Sequence, residues 1–285
     1  MNILYCGDKN IEDGLILSVL SLLKNVKEAL SIYILTMQSE DVDCSCQAVT
    51  ESTIEYLNQK VKQSNVESFV KKIDMTKYFQ GDKPLANLKT RFTPFCMLRL
   101  YADLVEELPD RLLYLDNDVI CRGDLESFYY QDMHNTELAG VLDYYGSWFF
   151  RKQFWKRDYV NSGVLLLNLE RIRETKLFEQ CRKRCREKKM FMPDQSAINK
   201  YAVEKKLLAR RYNEQRKLHA NTVLQHFTTS FRFLPWFHKV SVKPWQIEKM
   251  HRVLKLHEYD ALLEEYVNVQ KSIQNENQKT EGGVA

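Results

Sequence analysis

RLLYLDNDVI, residues 111–120, decides the fold. Leu112, Leu113, Tyr114 and Leu115 run without a break into two carboxylates one residue apart, Asp116 and Asp118, and Val119 and Ile120 resume the apolar run. A short continuous run of large apolar side chains reads as a strand buried on both faces, the habit of strands in a parallel sheet. Desolvating a lone carboxylate is very costly, so Asp116 and Asp118 are expected where the strand emerges. In open α/β sheets the carboxyl ends of the strands form the ligand crevice. On extended backbone residues i and i+2 share a face, which would let both carboxylates grip one cation. Hard oxygen ligands of this kind suit Mg²⁺ or Mn²⁺. Asp-Asn-Asp is also good turn chemistry, so spacing alone leaves a plain turn at the strand end open.

Upstream, strand and helix alternate. Asn2–Cys6 reads as a first strand, followed by the turn GDKN at 7–10, which sets Asp8 and Asn10 at the strand's carboxyl end. Apolar residues at Ile11, Leu15, Val19, Leu22, Leu23, Val26 and Leu30 predict a helix, and Ser31–Met37 a second strand. There is no Gly-x-Gly-x-x-Gly, so a dinucleotide fold is not indicated. Ser52-x-x-Glu55 predicts a capping box at the start of a helix, and Val66–Ile73 a third strand. Thr93-Pro94 supplies an N-cap and a first-turn proline to a helix that buries Phe95, Leu98, Ala102 and Val105, with Arg91 and Arg99 close by. The pattern predicts an α/β fold with a mostly parallel central sheet flanked by helices.

Downstream, ELAGVLD at 137–143 predicts a strand. Residues 144–159 are rich in aromatic and basic side chains. They suit either a partly buried loop or a wall that stacks on sugars and steers anions. Asn161-Ser162-Gly163 leads into the buried strand VLLLNL, 164–169, and 171–189 reads as a basic helix whose cations, Arg182 among them, lie mostly on a solvated face. Pro193-Asp194-Gln195 opens a helix, where Asp194 could serve simply as the N-cap. A last strand, 223–227, carries His226, and a lone histidine on a strand is more often a satisfied core residue than a ligand. Residues 230–270 read as an aromatic and basic segment followed by amphipathic helices, a C-terminal helical appendage to a main domain at 1–229. Residues 271–285 read as a disordered tail.

Composition bounds the function. The chain has 285 residues, 44% hydrophobic and 28% charged, which fits a large α/β domain with an appendage. It contains no 18-residue apolar run and no signal peptide, so a cytoplasmic protein is expected. Seven scattered cysteines read as reduced thiols, and no set of them suits a zinc site. The net charge of +4 favours anionic ligands or an anionic membrane surface; no nucleic-acid partner is expected.

Taken in order, Asp8-x-Asn10 after the first strand, YLDNDV, NSGVLLLNL, PDQSAIN, a histidine-bearing strand and Lys-Pro-Trp resemble glycosyltransferase family 8 over about residues 1–245. That family includes bacterial lipopolysaccharide galactosyl- and glucosyltransferases and glycogenin. The resemblance implies a nucleotide-sugar-binding fold of the GT-A type, a UDP-glucose or UDP-galactose donor, Mn²⁺ or Mg²⁺, and transfer with retention at the anomeric carbon. It implies that Asp116, Asp118 and His226 hold the metal and that Tyr5, Asp8 and Asn10 hold the uridine. Arg91, Arg99 and Asn117 would line the donor, Asn161, Asp194 and Gln195 the transferred sugar, and Lys243 the diphosphate. Gln195 matches the residue on the sugar's β-face, and an amide is a poor nucleophile, so front-face transfer is expected. The acceptor would be a glycan or a glycolipid.

The sequence departs from the family at Thr229, where a glycine is usual, and in the long spacing from His226 to Lys-Pro-Trp. A second Pro-Trp, Pro235-Trp236, falls in the insert, so Arg232 is an alternative to Lys243. Trp236, Phe237, Lys239, Lys243, Trp245 and the amphipathic run after them suit either a segment peripheral to the inner face of the membrane or an ordinary helical cap. Two other functions keep the same residues in view. An aspartate-nucleophile phosphatase of the haloacid dehalogenase type also carries Asp-x-Asp after an apolar strand, and a non-catalytic sugar-nucleotide-binding protein could share the fold.

Overall fold

The first half of the run, Arg111–Leu115, forms the middle strand of the sheet. The computed structural model describes residues 1–40, 45–89, 94–144, 158–232 and 238–282. Among these, the central sheet comprises β1 (Asn2–Cys6), β2 (Ser31–Thr36), β3 (Phe69–Asp74), β4 (Arg111–Leu115), β6 (Leu138–Leu142), β7 (Val160–Asn168) and β8 (Lys205–Leu207). Their order is β3-β2-β1-β4-β7-β6-β8. Pairs β1–β2, β2–β3, β1–β4 and β6–β8 are parallel, whereas β7 runs antiparallel to both β4 and β6. Leu112, Leu113, Tyr114 and Leu115 are all buried; truncating a core leucine such as Leu113 to alanine costs about 2–5 kcal/mol. A second antiparallel pair, β5 (Val119–Cys121) with β9 (Leu224–His226), continues directly from β4. β10 (Ser230–Arg232) and β11 (His238–Val240) form a separate hairpin.

The helices correct several expectations. α1 spans Glu12–Asn25 and ends there, because Val26 turns to extended backbone. Val26 and Leu30 are nevertheless buried, so their apolar spacing reflects core packing in the loop before β2. α2 spans Glu51–Ser64, and its N-cap is Thr50, whose hydroxyl accepts from the Thr53 amide at 3.4 Å; the capping position lies two residues before Ser52. The segment opened by Pro94 is helical over Pro94–Leu104 with 3-10 geometry and buries Phe95, Leu98, Arg99 and Ala102. The basic stretch forms two helices, α3 (Leu169–Thr175) and α4 (Leu177–Glu187), broken where Lys176 takes a left-handed φ of 56°. Arg182 is buried and pairs with Asp103, contrary to the solvated face expected of a charge run. α5 spans Pro193–Tyr201.

The final helix, α6 (Asp260–Gly282), runs into the stretch read as a tail. Leu262, Leu263, Tyr266, Val269 and Ile273 are buried in one core with Leu15, Leu22 and Leu57. Glu265 pairs with Lys24 at 3.1 Å, and Gln270 donates to Asp13 at 2.7 Å. Up to Ile273 the apolar face of α6 packs on α1 and α2, as a helical cap does. No helix among the described residues is long and apolar enough to cross a membrane. Most of the aromatic and basic stretch at 144–159, together with Arg91, Thr93, Pro235, Trp236 and Phe237, lies outside the described residues.

Candidate active site

At the end of β4 the chain makes a tight turn. The Asp116 amide donates to the Gly163 carbonyl at 2.8 Å, and the Val119 amide returns to the Asp116 carbonyl at 3.1 Å. Asp116 and Asp118 therefore converge through a turn, not along an extended strand, and the turn and ligand readings of Asp-Asn-Asp describe the same backbone. The β5–β9 ladder then sets Val119 opposite His226. His226 Nε2 lies 3.1 Å from Asp118 Oδ1 and 3.6 Å from Asp116 Oδ2. One ligand atom from each of the three falls within 4.8 Å of the others. Across the ring, His226 Nδ1 stands 3.2 Å from Asn213 Oδ1. Asn213 turns its amide nitrogen to Asn161 Oδ1 at 3.0 Å, so its oxygen faces the imidazole. This contact holds the ring so that Nε2 points at the two carboxylates, the usual orientation of a metal-ligating histidine.

Arg99 braces this cluster from beneath. It is buried, with Nη2 2.9 Å from Asp116 Oδ1 and Nε 3.5 Å from Asp194 Oδ2. It also donates to the carbonyls of Ser162 at 2.5 Å and Cys96 at 2.7 Å, and its guanidinium lies 3.9 Å from the Tyr114 ring centre. The Tyr114 hydroxyl donates to the same Asp116 oxygen at 2.6 Å. On the other side, Lys243 bonds to Asp118 and donates to the Phe227 carbonyl at 3.2 Å. Burial alone would raise the Asp118 carboxyl, but the Lys243 and His226 charges outweigh it and hold Asp118 well below the usual carboxylate range. Burial alone would lower Lys243, and the Asp118 carboxylate overcomes that too, leaving the ammonium raised.

A second polar group adjoins the first. Pro193 starts α5, and Asp194 lies in its first turn; the N-cap position is Met192, without a side-chain cap, so Asp194 is not a simple capping residue. Ser162 Oγ donates to Asp194 at 3.1 Å. Gln195 Oε1 accepts from the Ser162 amide at 3.0 Å, and its Nε2 donates to Asp143 at 3.2 Å. Asn161 donates to the same Asp143 oxygen at 2.9 Å. Asp143, Ser162 and Asn213 thus join the candidate site, beyond the residues that the sequence motifs single out. Asp143 had a visible signal, since ELAGVLD repeats the pattern of an apolar strand ending in aspartate.

The remaining expected residues divide. Asp8 is buried, and its carboxylate accepts from the Asn10 amide at 3.2 Å and the Asn10 side chain at 2.7 Å. Asn117 packs where the chain passes Gly14: a Cβ on Gly14 would stand 2.4 Å from the Asn117 carbonyl and 2.7 Å from the Trp245 ring. That contact draws Lys-Pro-Trp to the Asp-Asn-Asp turn despite the long insert. Tyr5 is not brought to an open face: its ring is fully buried and its hydroxyl lies 2.8 Å from Ser18 Oγ. Arg232 belongs to β10, with its side chain outside the described residues.

The model for Glycosyl transferase family 8 matches residues 2–249. Glucoside xylosyltransferase 1 from Mus musculus is 29% identical over 119 residues, 37% of this chain and 29% of the relative. Lipopolysaccharide 1,2-glucosyltransferase from Escherichia coli K12 is 27% identical over 162 residues, 47% of this chain and 46% of the relative. The matched stretch therefore spans less than half the length of either relative. Among solved structures, the galactosyltransferase LgtC, in complex with donor and acceptor sugar analogs, shares the fold with a TM-score of 0.63 at 17% identity, covering 95% of this chain and 96% of that one. The match across nearly the whole chain makes this protein a member of glycosyltransferase family 8.

Proposed function

We propose that the chain is a retaining glycosyltransferase that moves glucose or galactose from a UDP-sugar to a glycan or glycolipid acceptor, with Mn²⁺ or Mg²⁺ held by Asp116, Asp118 and His226. One observation carries the reading: two carboxylates and an oriented imidazole converge beside a buried polar group made of Asp143, Asn161, Ser162, Asp194 and Gln195. The donor set fits a hard divalent cation, being rich in carboxylate oxygen with a single imidazole. When bound, such an ion stabilises the negative charge that develops on a departing pyrophosphate.

The chain's own residues do the rest. Arg99 fixes Asp116 and Asp194 in relation to each other, linking the leaving-group end of the site to the sugar end. Lys243 offers a second positive charge beside Asp118 for the diphosphate, Asp8 and Asn10 serve the nucleoside, and Arg91 and Asn117 complete the donor side as the family resemblance implies, while the buried Tyr5 ring only backs the first strand. Asp194, Asp143, Asn161 and Gln195 present acceptors and donors that suit sugar hydroxyls. Among the described residues the two side chains nearest the proposed sugar position offer no free carboxylate for a covalent intermediate. Gln195 is an amide, and the Asp194 carboxylate is engaged by Arg99 and Ser162. Transfer then proceeds on one face: the anomeric carbon–phosphate oxygen bond breaks as the acceptor oxygen bonds to that carbon, and the acceptor proton passes to the departing phosphate. The net charge of +4 suits an anionic membrane surface, where a glycolipid acceptor would be held.

Membership of the family replaces the phosphatase reading. The assay is UDP release from UDP-glucose, UDP-galactose and UDP-xylose with Mn²⁺. Release with a hexose donor, lost in Asp118→Asn, supports the proposal. Binding of UDP without any release would leave a sugar-nucleotide-binding protein, and preference for xylose would remove the hexose assignment.

A further inference from the structure

We propose that His251, His257 and Asp260 form a second metal site, for a borderline cation of the Zn²⁺, Co²⁺ or Ni²⁺ kind. His251 lies in a π-helical turn, Met250–Leu254, and Lys255 reverses the chain with a left-handed φ of 56°. The reversal brings His257 back over His251, their rings stacked at 4.5 Å and 17°. Both face one carboxylate at the start of α6. His251 Nε2 lies 2.7 Å from Asp260 Oδ1, and His257 Nδ1 lies 3.3 Å from Asp260 Oδ2. The three ligand atoms fall within 4.8 Å of one another.

The chemistry differs from that of the first site. Two imidazoles with one carboxylate make a nitrogen-rich set, which suits zinc and its neighbours, whereas two carboxylates with one imidazole suit harder ions. Two stacked imidazoles aimed at one carboxylate can each give it a single hydrogen bond. A shared cation takes both nitrogen lone pairs and the carboxylate charge at once. A further carboxylate lies within one helical turn: Glu264 follows Asp260 by four residues and so shares its face. Glu264 joins His251, Asp260, Leu263 and Val267 in lining a cavity of about 210 Å³. His257 and Asp260 remain open to solvent, giving an ion a way in. Occupancy would staple the segment after Trp245 to α6, so binding to the folded chain alone would raise its stability.

The test counts metal on the full chain after chelator treatment, using Co²⁺ absorption and dialysis equilibrium with Zn²⁺. Wild type is expected to hold two ions, Asp118→Asn and His257→Ala one each, and the double variant none. Zn²⁺ should raise the melting temperature of Asp118→Asn and leave that of the double variant where it is, while UDP release by His257→Ala stays unchanged. His251→Gln repeats the arm with a substitution at the partially covered ligand. Equal metal counts in wild type, His257→Ala and His251→Gln would overturn the second site. A single ion in wild type that survives Asp118→Asn and is lost in His257→Ala would keep the second site and reject the first.

Discussion

Gly163 and His226 stand so close that a Cβ on residue 163 would lie 2.1 Å from His226 Cε1; it would also lie 2.6 Å from Asp116 Oδ2. The missing side chain is what lets the imidazole of β9 meet the carboxylates that follow β4. Gly163→Ala must push His226 or Asp116 out of position. Because the added methyl meets side-chain atoms and not the β4–β7 ladder, the fold should survive with a lowered melting temperature. Divalent-metal affinity should fall by about 10–100-fold, the range seen when the support of a ligand is lost. Calorimetric titration of metal into wild type and variant checks this.

Arg99 joins two carboxylates that are far apart in the chain, Asp116 and Asp194. Removing one partner of a buried ionic group strands the others, at a cost of about 3–5 kcal/mol. Arg99→Ala is expected to lose that much in denaturant unfolding. Arg99→Lys keeps the charge but not the fork that reaches both carboxylates and two carbonyls, so it should fold better than the alanine variant while remaining poor in turnover. Equal activity in Arg99→Lys and wild type would remove Arg99 from its bracing role.

Asp118 gives the protein an acid-sensitive element. Its carboxyl is depressed in the folded state by Lys243 and His226, against the effect of burial. A depressed folded value contributes stability that is fully present above the unfolded value of about 3.9 and is lost as pH falls from there toward the folded value. Wild type should therefore lose stability on acidification below about pH 4 more steeply than Asp118→Asn. Parallel pH profiles of the two proteins in urea would show that Asp118 carries no such linkage.

How much could be read beforehand follows from how locally each feature is encoded. The apolar runs at Leu112–Leu115 and Val164–Leu167 announce strands buried on both faces, and both are central. Such a run carries no sign of direction, so the antiparallel setting of β7 was not legible. Asp116 and Asp118 stood out because charge interrupts an apolar run, but their meeting with His226 depends on the β5–β9 register. Arg182 looked like one more surface cation, because its partner Asp103 is 79 residues away and leaves no local trace. Tyr5 sits near a strand end, yet its ring points into the core against Ser18. Val26 and Leu30 extended the helical period beyond α1 because buried loop residues are apolar for the same reason as buried helix residues.

Asp194 and Gln195, proposed to hold the transferred sugar, differ in their tethers. Gln195 bonds to Ser162 and Asp143 through a neutral amide, whereas Asp194 carries charge and is tied to Arg99. Gln195→Ala should lower turnover only partly, and Asp194→Ala should lower it much further by releasing both Arg99 and the sugar hydroxyls. Proton NMR of the first product formed from an α-linked donor should show an α-linkage. A β-linked product would contradict retention, and a sugar trapped covalently on Asp194 would contradict front-face transfer.

Asp116, Asp118 and His226 are proposed to bind a divalent cation together with the donor's diphosphate. This binding is tested most directly by measuring the stability of the full chain with saturating UDP, once with Mn²⁺ and once with chelator. With UDP at 100 times its dissociation constant, the account predicts a gain of about 2.7 kcal/mol in the presence of Mn²⁺, collapsing in chelator and absent in Asp118→Asn. A UDP-dependent gain of the same size with and without metal would contradict it.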